Sequence, residues 1–355
     1  MAFRSITLLC TIYIPLASAN VLRARISVKE QSCPPSSSTL TSLIYLKTRK
    51  TGSSTLANIV HRFGECRGWA FLLPENSAWL GWPGAFPGEE NAKRAGPPDG
   101  HFNAIVNHAV FSESLMRSYV QPEPFFLSVV RDPVAQASSA YNYFFRAHGR
   151  KSWREQLDWL ANALPSTDDI DASRFLNSQA HDFGWYEHVG QSKESDHDET
   201  RVQQWLSQLQ PAFSDSGLVI INEFFDEGLV LLKHRLNLSL REVMYTPLKV
   251  SHSRKILPSE AEREELRSLS PVDTALYEHF NRSFWSAWQA APRETLEADL
   301  AELRRLNRDL ATACAEPRDV RECPPAITRD SREFTLRLEA QSRSRPGRPT
   351  RPTPI

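Results

Sequence analysis

Apolar residues fall along this chain in two rhythms. Short apolar runs at Leu43–Leu46, Phe125–Val130 and 218–221 predict strands buried on both faces, as in a parallel sheet, and 104–108 reads as a further strand. Between them the period lengthens. Leu56, Ile59, Val60 and Phe63 recur at i, i+3, i+4, i+7, which predicts an amphipathic helix, and Gly64 stands where a C-cap belongs. Asp132 and Pro133 read as N-cap and first helical residue, followed by a stripe of Val134, Ala137, Tyr141 and Phe144. A further helix is expected over 224–236, and 258–315 reads as helical, with LEADLAELRRLNRDL strongly amphipathic. Residues 66–103 read as loop, rich in Gly and Pro and bearing Trp69, Trp79 and Trp82. Strands that alternate with helices predict an α/β fold: a central, mostly parallel sheet flanked by helices, with a helical C-terminal region.

The two ends differ from this pattern. Residues 6–19 (ITLLCTIYIPLASA) are free of charge, shorter than a membrane span, and end in a small-residue cleavage pattern. Residues 1–24 are therefore read as a signal peptide or a short signal-anchor, 25–40 as a linker. Either places the rest of the chain in a secretory lumen. Two sequons, Asn237-Leu238-Ser239 and Asn281-Arg282-Ser283, agree with that compartment. Beyond the leader lie Cys33, Cys66, Cys314 and Cys323, which allow three disulfide pairings; a local Cys314–Cys323 staple is the first expectation. The C-terminal helix with this staple occupies 293–325, and 326–355 is expected to be a disordered tail.

Composition narrows the function. Apolar residues make up 41% of the 355, enough for a sizeable core. Lys plus Arg equals Asp plus Glu at 42 each, which argues against a nucleic-acid binder. No Cys/His cluster has zinc spacing, and the run Asp196-His197-Asp198-Glu199 reads as a solvated loop rather than a ligand set. No metal is expected.

The sharpest chemistry lies in the loop after the first strand, Lys47-Thr48-Arg49-Lys50-Thr51-Gly52-Ser53-Ser54-Thr55. Between a buried strand and a helix N-terminus, backbone N–H groups and the helix dipole favour an anion. Lys50 adds a charge, Gly52 permits close approach, and the hydroxyls add donors. It is not a Walker loop, since Lys precedes Gly and no upstream Gly is present. At the end of the 125–130 strand, Arg131 and, eight residues on, Ser139 offer a second anion site. Together they suggest a ligand with two separate anionic groups, bound at strand carboxyl ends.

These segments, YLKTRKTGSST and SVVRDPVAQASSAYNYF, resemble the carbohydrate sulfotransferases of the Golgi lumen, and within them the galactose-3-O-sulfotransferase family. The likeness continues in Asn107-His108, in NSQAHDFG (177–184), in NEFFDEGLVLL (222–232) and in YEHFNRSFW (277–285). The resemblance implies a P-loop-like sulfotransferase fold over 41–292 and the donor 3′-phosphoadenosine 5′-phosphosulfate. It assigns the 5′-phosphosulfate to Lys50, Thr51, Gly52, Ser53, Ser54 and Thr55, and the 3′-phosphate to Arg131 and Ser139. It implies Lys50 and His108 as catalytic residues, Lys50 stabilising the leaving oxygen and His108 taking the acceptor proton. The expected acceptor is the 3-OH of galactose on a glycolipid or glycan.

One departure stands out. Family members carry His where this chain has Arg49, and arginine cannot act as a base, though it can hold a sulfate oxygen. That keeps two other readings in play: a sulfotransferase for another acceptor such as a uronic acid, and a nucleotide-binding homologue that has lost turnover. The tryptophans of 69–103 either stack on a sugar or anchor the loop. A kinase using ATP is the least favoured reading, since the sequence lacks the Walker loop and places no aspartate at a strand end for magnesium.

Overall fold

In the computed structural model, every strand runs the same way. The described residues are 33–74, 79–88, 101–145, 152–163, 170–190, 192–250, 255–315, 323–330 and 333–337. The leader and the last residues of the expected tail lie outside them. Residues Met1–Cys33 and Pro34–Ile355 are separate units, and the fold is that of the second.

Five strands make one parallel sheet: β1 (Leu43–Leu46), β2 (Phe71–Leu72), β3 (Ala104–Ile105), β4 (Phe125–Val130) and β5 (Gly217–Ile221), in the order β2-β3-β1-β4-β5. β1 and β5 are buried at every position, as their unbroken apolar sequences require. The chain visits β3 on one side of β1 and then crosses to β4 on the other. That reversal falls at β1, whose carboxyl end is the place where open α/β sheets bind ligands.

The helices are α1 (Ser53–Cys66), α2 (Glu113–Tyr119), α3 (Pro133–Ala140), α4 (Trp153–Leu160), α5 (Ser178–Asp182), α6 (Trp185–Val189), α7 (Lys193–Asp196) and α8 (Glu199–Gln210). They continue as α9 (Phe225–Leu236), α10 (Leu240–Val243), α11 (Glu260–Leu269), α12 (Pro271–Ala290), α13 (Arg293–Ala315) and α14 (Pro325–Thr328). Asp132 caps α3 by accepting from Ala135 N at 2.8 Å, with Pro133 in the first turn, as expected. The stripe then leaves α-geometry, and Tyr141–Phe145 is a π-turn.

Several expectations are corrected. Gly64 does not end α1; the helix runs on to Cys66. A Cβ at Gly64 would lie 2.4 Å from the Phe71 ring and 2.9 Å from Trp69, so the glycine admits close packing instead of capping. The expected strand over 104–108 pairs only at Ala104–Ile105; beyond it the backbone of His108 is taken up by the 79–80 segment, bridging Trp79 and accepting from Leu80 N at 2.7 Å. The short strand β2 itself lies inside the segment read as loop.

The tail begins later than expected. Ala326, Ile327 and Phe334 are buried, and Asn58 of α1 donates to the carbonyls of Ala326 and Arg329 at 2.8 Å each. Arg329 and Arg337 both pair with Glu65. Apolar burial and side-chain bonds to α1 thus hold a segment whose composition alone looked unfoldable.

Cys314 and Cys323 form the expected local disulfide, and Cys33 and Cys66 are also disulfide-bonded. Asn237 is exposed in a left-handed turn after α9, whereas Asn281 lies within α12. No helix among the described residues is long and apolar enough to cross a membrane.

Candidate active site

Three carbonyls in a row fix the loop between β1 and α1. Gln136 of α3 donates to Arg49 O at 3.2 Å, Arg131 to Lys50 O at 3.2 Å, and Asn222, just after β5, to Thr51 O at 2.9 Å. The segments that follow β4 and β5 therefore each supply a hand to the loop after β1. Such side-chain donors replace the ladder that the loop backbone has left, as buried carbonyls demand.

Gly52 then turns the chain into α1. It is the N-cap, at φ 78 and ψ 6, and a Cβ there would sit 2.6 Å from Asn222 Nδ2. The first turn of α1 holds no acidic residue, and no side chain caps it. A helix of this length, with Thr55 N turned back to Gly52 O at 3.0 Å, the Ser53 and Ser54 N–H groups ahead of it and Lys50 beside it, is a ready cradle for an anion. Gly52→Ala is expected to cost about 1–3 kcal/mol, from the left-handed backbone and the contact with Asn222, and to weaken anion binding. Urea midpoints and a thermal shift with 3′-phosphoadenosine 5′-phosphate check both parts.

The hydroxyls divide by role. Thr51 Oγ1 is buried against Thr48 Oγ1 at 2.7 Å, and Thr55 Oγ1 accepts from Leu248 N at 3.0 Å. The Ser53 carbonyl accepts from Tyr45 OH at 3.1 Å, and Ser54 is half-buried at the helix start. Thr51 thus shapes the loop from within, while the serines stand at the mouth of the cradle.

Arg131 meets Lys50 directly through the carbonyl bond just described. Its own backbone is gripped on both sides by Gln179 of α5: Arg131 N donates to Oε1 and Gln179 Nε2 donates to Arg131 O, each at 2.8 Å. Glu223 Oε1 lies 3.9 Å from Arg131 Nε and accepts from Asp132 N at 3.2 Å. Ser139 sits half-exposed farther along α3, with no contact to Arg131 among those described. Arg131 thus adjoins the first loop, whereas no described contact brings Ser139 to it.

His108 lies on the opposite side of the loop. Its Nδ1 is 2.7 Å from Lys47 O, which can only accept, so Nδ1 carries the hydrogen and Nε2 keeps the lone pair. Its backbone carbonyl accepts from Leu80 N at 2.7 Å, which ties it to the tryptophan loop. Burial, then the charges of Arg49 and Lys47, hold its pKa well below the usual 6.5. The imidazole is neutral across the physiological range.

Arg49 and Lys50 diverge although adjacent. The Lys50 ammonium lies 3.6 Å from the Tyr143 ring centroid, and burial together with Arg131, Lys249 and Lys255 lowers its pKa to about 8. The Arg49 guanidinium is buried, 3.0 Å over Trp82 and 5.7 Å from the Trp79 ring. Asp182, fully buried, accepts from Arg49 N at 3.1 Å and from Trp82 Nε1 at 2.8 Å. Burial raises the Asp182 pKa to about 7 against the pull of Arg49. Lys47, read as part of a polar loop, is only 4% exposed, and burial lowers its pKa to about 7.

Sequence reasoning missed this second tier. Gln179, Asp182 and Gln136 touch the site loops from beneath, and Asn177 stands behind them, accepting from the N–H groups of Val272 and Asp273. The one signal for Asn177, Gln179 and Asp182 was the polar string NSQAHDFG, whereas Gln136 lies apart, in the helix that follows Arg131. Within the run Asp196–Glu199, His197 and Glu199 are exposed and Asp198 is half-exposed, as expected, but Asp196 is 8% exposed and accepts from Asn177, Trp185 and Tyr186. Trp69 and Trp82 are buried anchors, while Trp79 is half-buried.

The comparisons with known proteins agree with this architecture. A family model described as galactose-3-O-sulfotransferase matches residues 1–332. The galactosylceramide sulfotransferase of Bos taurus is 31% identical over 283 residues, 77% of this chain and 64% of the relative. Galactose-3-O-sulfotransferase 2 of Mus musculus is 31% identical over 290 residues, covering 78% of this chain and 70% of that protein. The human galactose-3-O-sulfotransferase 2 is 31% identical over 286 residues, 78% and 69% respectively. The chain spans just under two thirds of the length of the galactosylceramide sulfotransferase it matches. With the family match covering nearly the whole chain, this protein belongs to the galactose-3-O-sulfotransferase family.

Proposed function

We propose that this protein transfers a sulfuryl group from 3′-phosphoadenosine 5′-phosphosulfate to a sugar hydroxyl, the 3-OH of galactose on a glycolipid or glycan, in the Golgi lumen. The observation that carries the reading is the loop after β1, which sets a lysine and an uncapped helix start on one side and a neutral histidine on the other. The residues fit the donor: the Gly52 cradle would be filled by a Cβ, and Lys50 and Arg131 supply adjacent cations. Gly52, Ser53, Ser54 and Thr55 at the start of α1, with Thr51 shaping the loop and Lys50 beside it, take the 5′-phosphosulfate. Arg131 takes the 3′-phosphate, with Ser139 beyond it.

When bound, the donor supplies a sulfur whose bond to the phosphate oxygen breaks as its bond to the acceptor oxygen forms. His108 Nε2 receives the proton of the attacking hydroxyl. Lys50 stabilises the charge that grows on the leaving phosphate oxygen. Lys47 O, accepting from Nδ1–H, keeps His108 in the tautomer this requires and steadies the imidazolium once formed. The disulfide-bonded cysteines suit an oxidising lumen, and the N-terminal segment is assigned as its signal peptide or anchor.

The pH profile is set by the two groups. His108 must be neutral, and its pKa is held below 6.5, so transfer persists into mildly acidic conditions and fails only below that value. Lys50 must be charged, so kcat/KM falls as pH rises through about 8. Lys50→Arg is expected to carry the alkaline limb to higher pH; a limb that stays in place would assign it elsewhere. The defining experiment incubates purified protein with radiolabelled sulfate donor and galactosylceramide, lactosylceramide, N-acetyllactosamine or desulfated glycosaminoglycan. Label on the galactosides is expected, and a chain that binds donor yet labels nothing would be a binding homologue instead.

A further inference from the structure

The Arg49 guanidinium has an edge without an occupant. The residue is 5% exposed, yet Nε and Nη2 have no hydrogen-bond partner. These two nitrogens form one side of the planar fork, the side that grips two oxygens at once. The nearest carboxylate does not serve it. Asp182 spends Oδ2 on Arg49's own backbone N–H and Oδ1 on Trp82 Nε1, and Arg49 makes no ion pair among the described residues. A buried cation with idle donors carries a desolvation cost that only an incoming acceptor atom relieves.

The position of the fork says which ligand reaches it. The tryptophan loop pairs with the base: the Trp79 backbone bridges that of His108, and Leu80 N donates to His108 O at 2.7 Å. The Arg49 guanidinium packs on that loop, and its charge acts on His108 and His181 as well as on Lys47. It therefore stands on the side of the base, with Trp82 packed flat beneath it and half-buried Trp79 beside it.

We propose that Arg49 selects the acceptor: its Nε–Nη2 edge takes a carboxylate carried by the acceptor glycan next to the sugar that is sulfated, an inference that rests on the sulfotransferase reading above. The planar carboxylate matches the fork in shape and charge. The preferred substrate class is then an acidic glycan, and neutral galactosides are poorer substrates.

The test compares two disaccharides, a galactose linked to a hexuronate and the same molecule with its carboxyl reduced to the alcohol. Binding to the full chain is read by titration calorimetry with 3′-phosphoadenosine 5′-phosphate present. The acidic form is expected to bind roughly tenfold or more tightly, and Arg49→Gln to bring the two within roughly twofold. Arg49→Lys keeps the charge without the fork and is expected to lose most of the preference; it decides the matter if the Gln variant does not fold. Equal affinities in the wild type, or a preference that survives both variants, overturns the proposal. So does loss in Arg49→Gln of the melting-temperature rise with 3′-phosphoadenosine 5′-phosphate, which would place Arg49 on the donor. A wild-type chain with no such rise removes the sulfotransferase reading and this proposal with it, whereas a rise without acid preference removes this proposal alone.

Discussion

Lys50→Ala is expected to lower kcat for sulfuryl transfer about a thousandfold while leaving the fold intact, the scale seen when one preorganised donor to a developing oxyanion is removed. The fold survives because the loop is held by its backbone. The carbonyls of residues 49, 50 and 51 are bound by Gln136, Arg131 and Asn222, and none of these bonds uses the Lys50 side chain. Lys50 occupies φ 57, a left-handed position that lysine and alanine tolerate equally badly, so the exchange adds no strain. What stability it does change has two opposing parts. The ammonium's contact with Tyr143 is lost, about 0.5–1 kcal/mol. Repulsion from Arg131, Lys249 and Lys255 is lost as well. The ligand-free variant is therefore expected to melt at or above the wild-type temperature, the signature of a residue kept for chemistry at the expense of stability. His108→Ala provides the contrast: a loss of roughly a hundredfold or more in rate, with donor binding and the alkaline limb near 8 both retained. A Lys50→Ala enzyme that keeps its kcat and loses only donor affinity would move the lysine from transition state to ground-state binding.

The backbone frame could be read from the sequence because its signals are local. The apolar runs marked β1 and β4 to the residue, and Asp132-Pro133 marked the start of α3, since burial and capping are decided within a few positions. Gly52 could be read too, because a turn into a helix start leaves few alternatives. What could not be read depended on residues far apart in the chain. Gly64 has the sequence profile of a cap, and only the rings of Phe71 and Trp69 show that it is a contact. Asp196 has the profile of a solvated acid until Asn177, Trp185 and Tyr186 close around it. Asp182 and Gln179 lie more than forty positions from the loops they hold, and polar residues in such strings carry no periodicity to betray their burial. The catalytic candidates were legible and their supports were not, because chemistry restricts residue type whereas support restricts only geometry.

The largest expected loss of stability lies in that hidden tier. Asp182→Ala is expected to destabilise the protein by about 2–5 kcal/mol, from two buried donors left unsatisfied at about 1–3 kcal/mol each. Asp182 is fully buried and accepts two hydrogen bonds, from Arg49 N–H and Trp82 Nε1–H, so alanine strands two donors out of water. It also removes the negative charge that most offsets burial of the Arg49 guanidinium. Asp182→Asn keeps the shape and one accepting oxygen, so it satisfies one of the two donors and turns an amide hydrogen towards the other; a smaller loss is expected. The charge component is separable. In Arg49→Gln/Asp182→Ala the cation is gone as well, and the double variant is expected to be more stable than the sum of the singles, by an amount of the order of 1–3 kcal/mol. Urea midpoints for the four proteins of the cycle give that coupling directly. Additive losses would mean that Asp182 acts only as a hydrogen-bond acceptor for the loop backbone and the tryptophan. A positive coupling would mean that the same carboxylate fixes where the Arg49 charge rests, and so leaves the edge of its fork to a ligand.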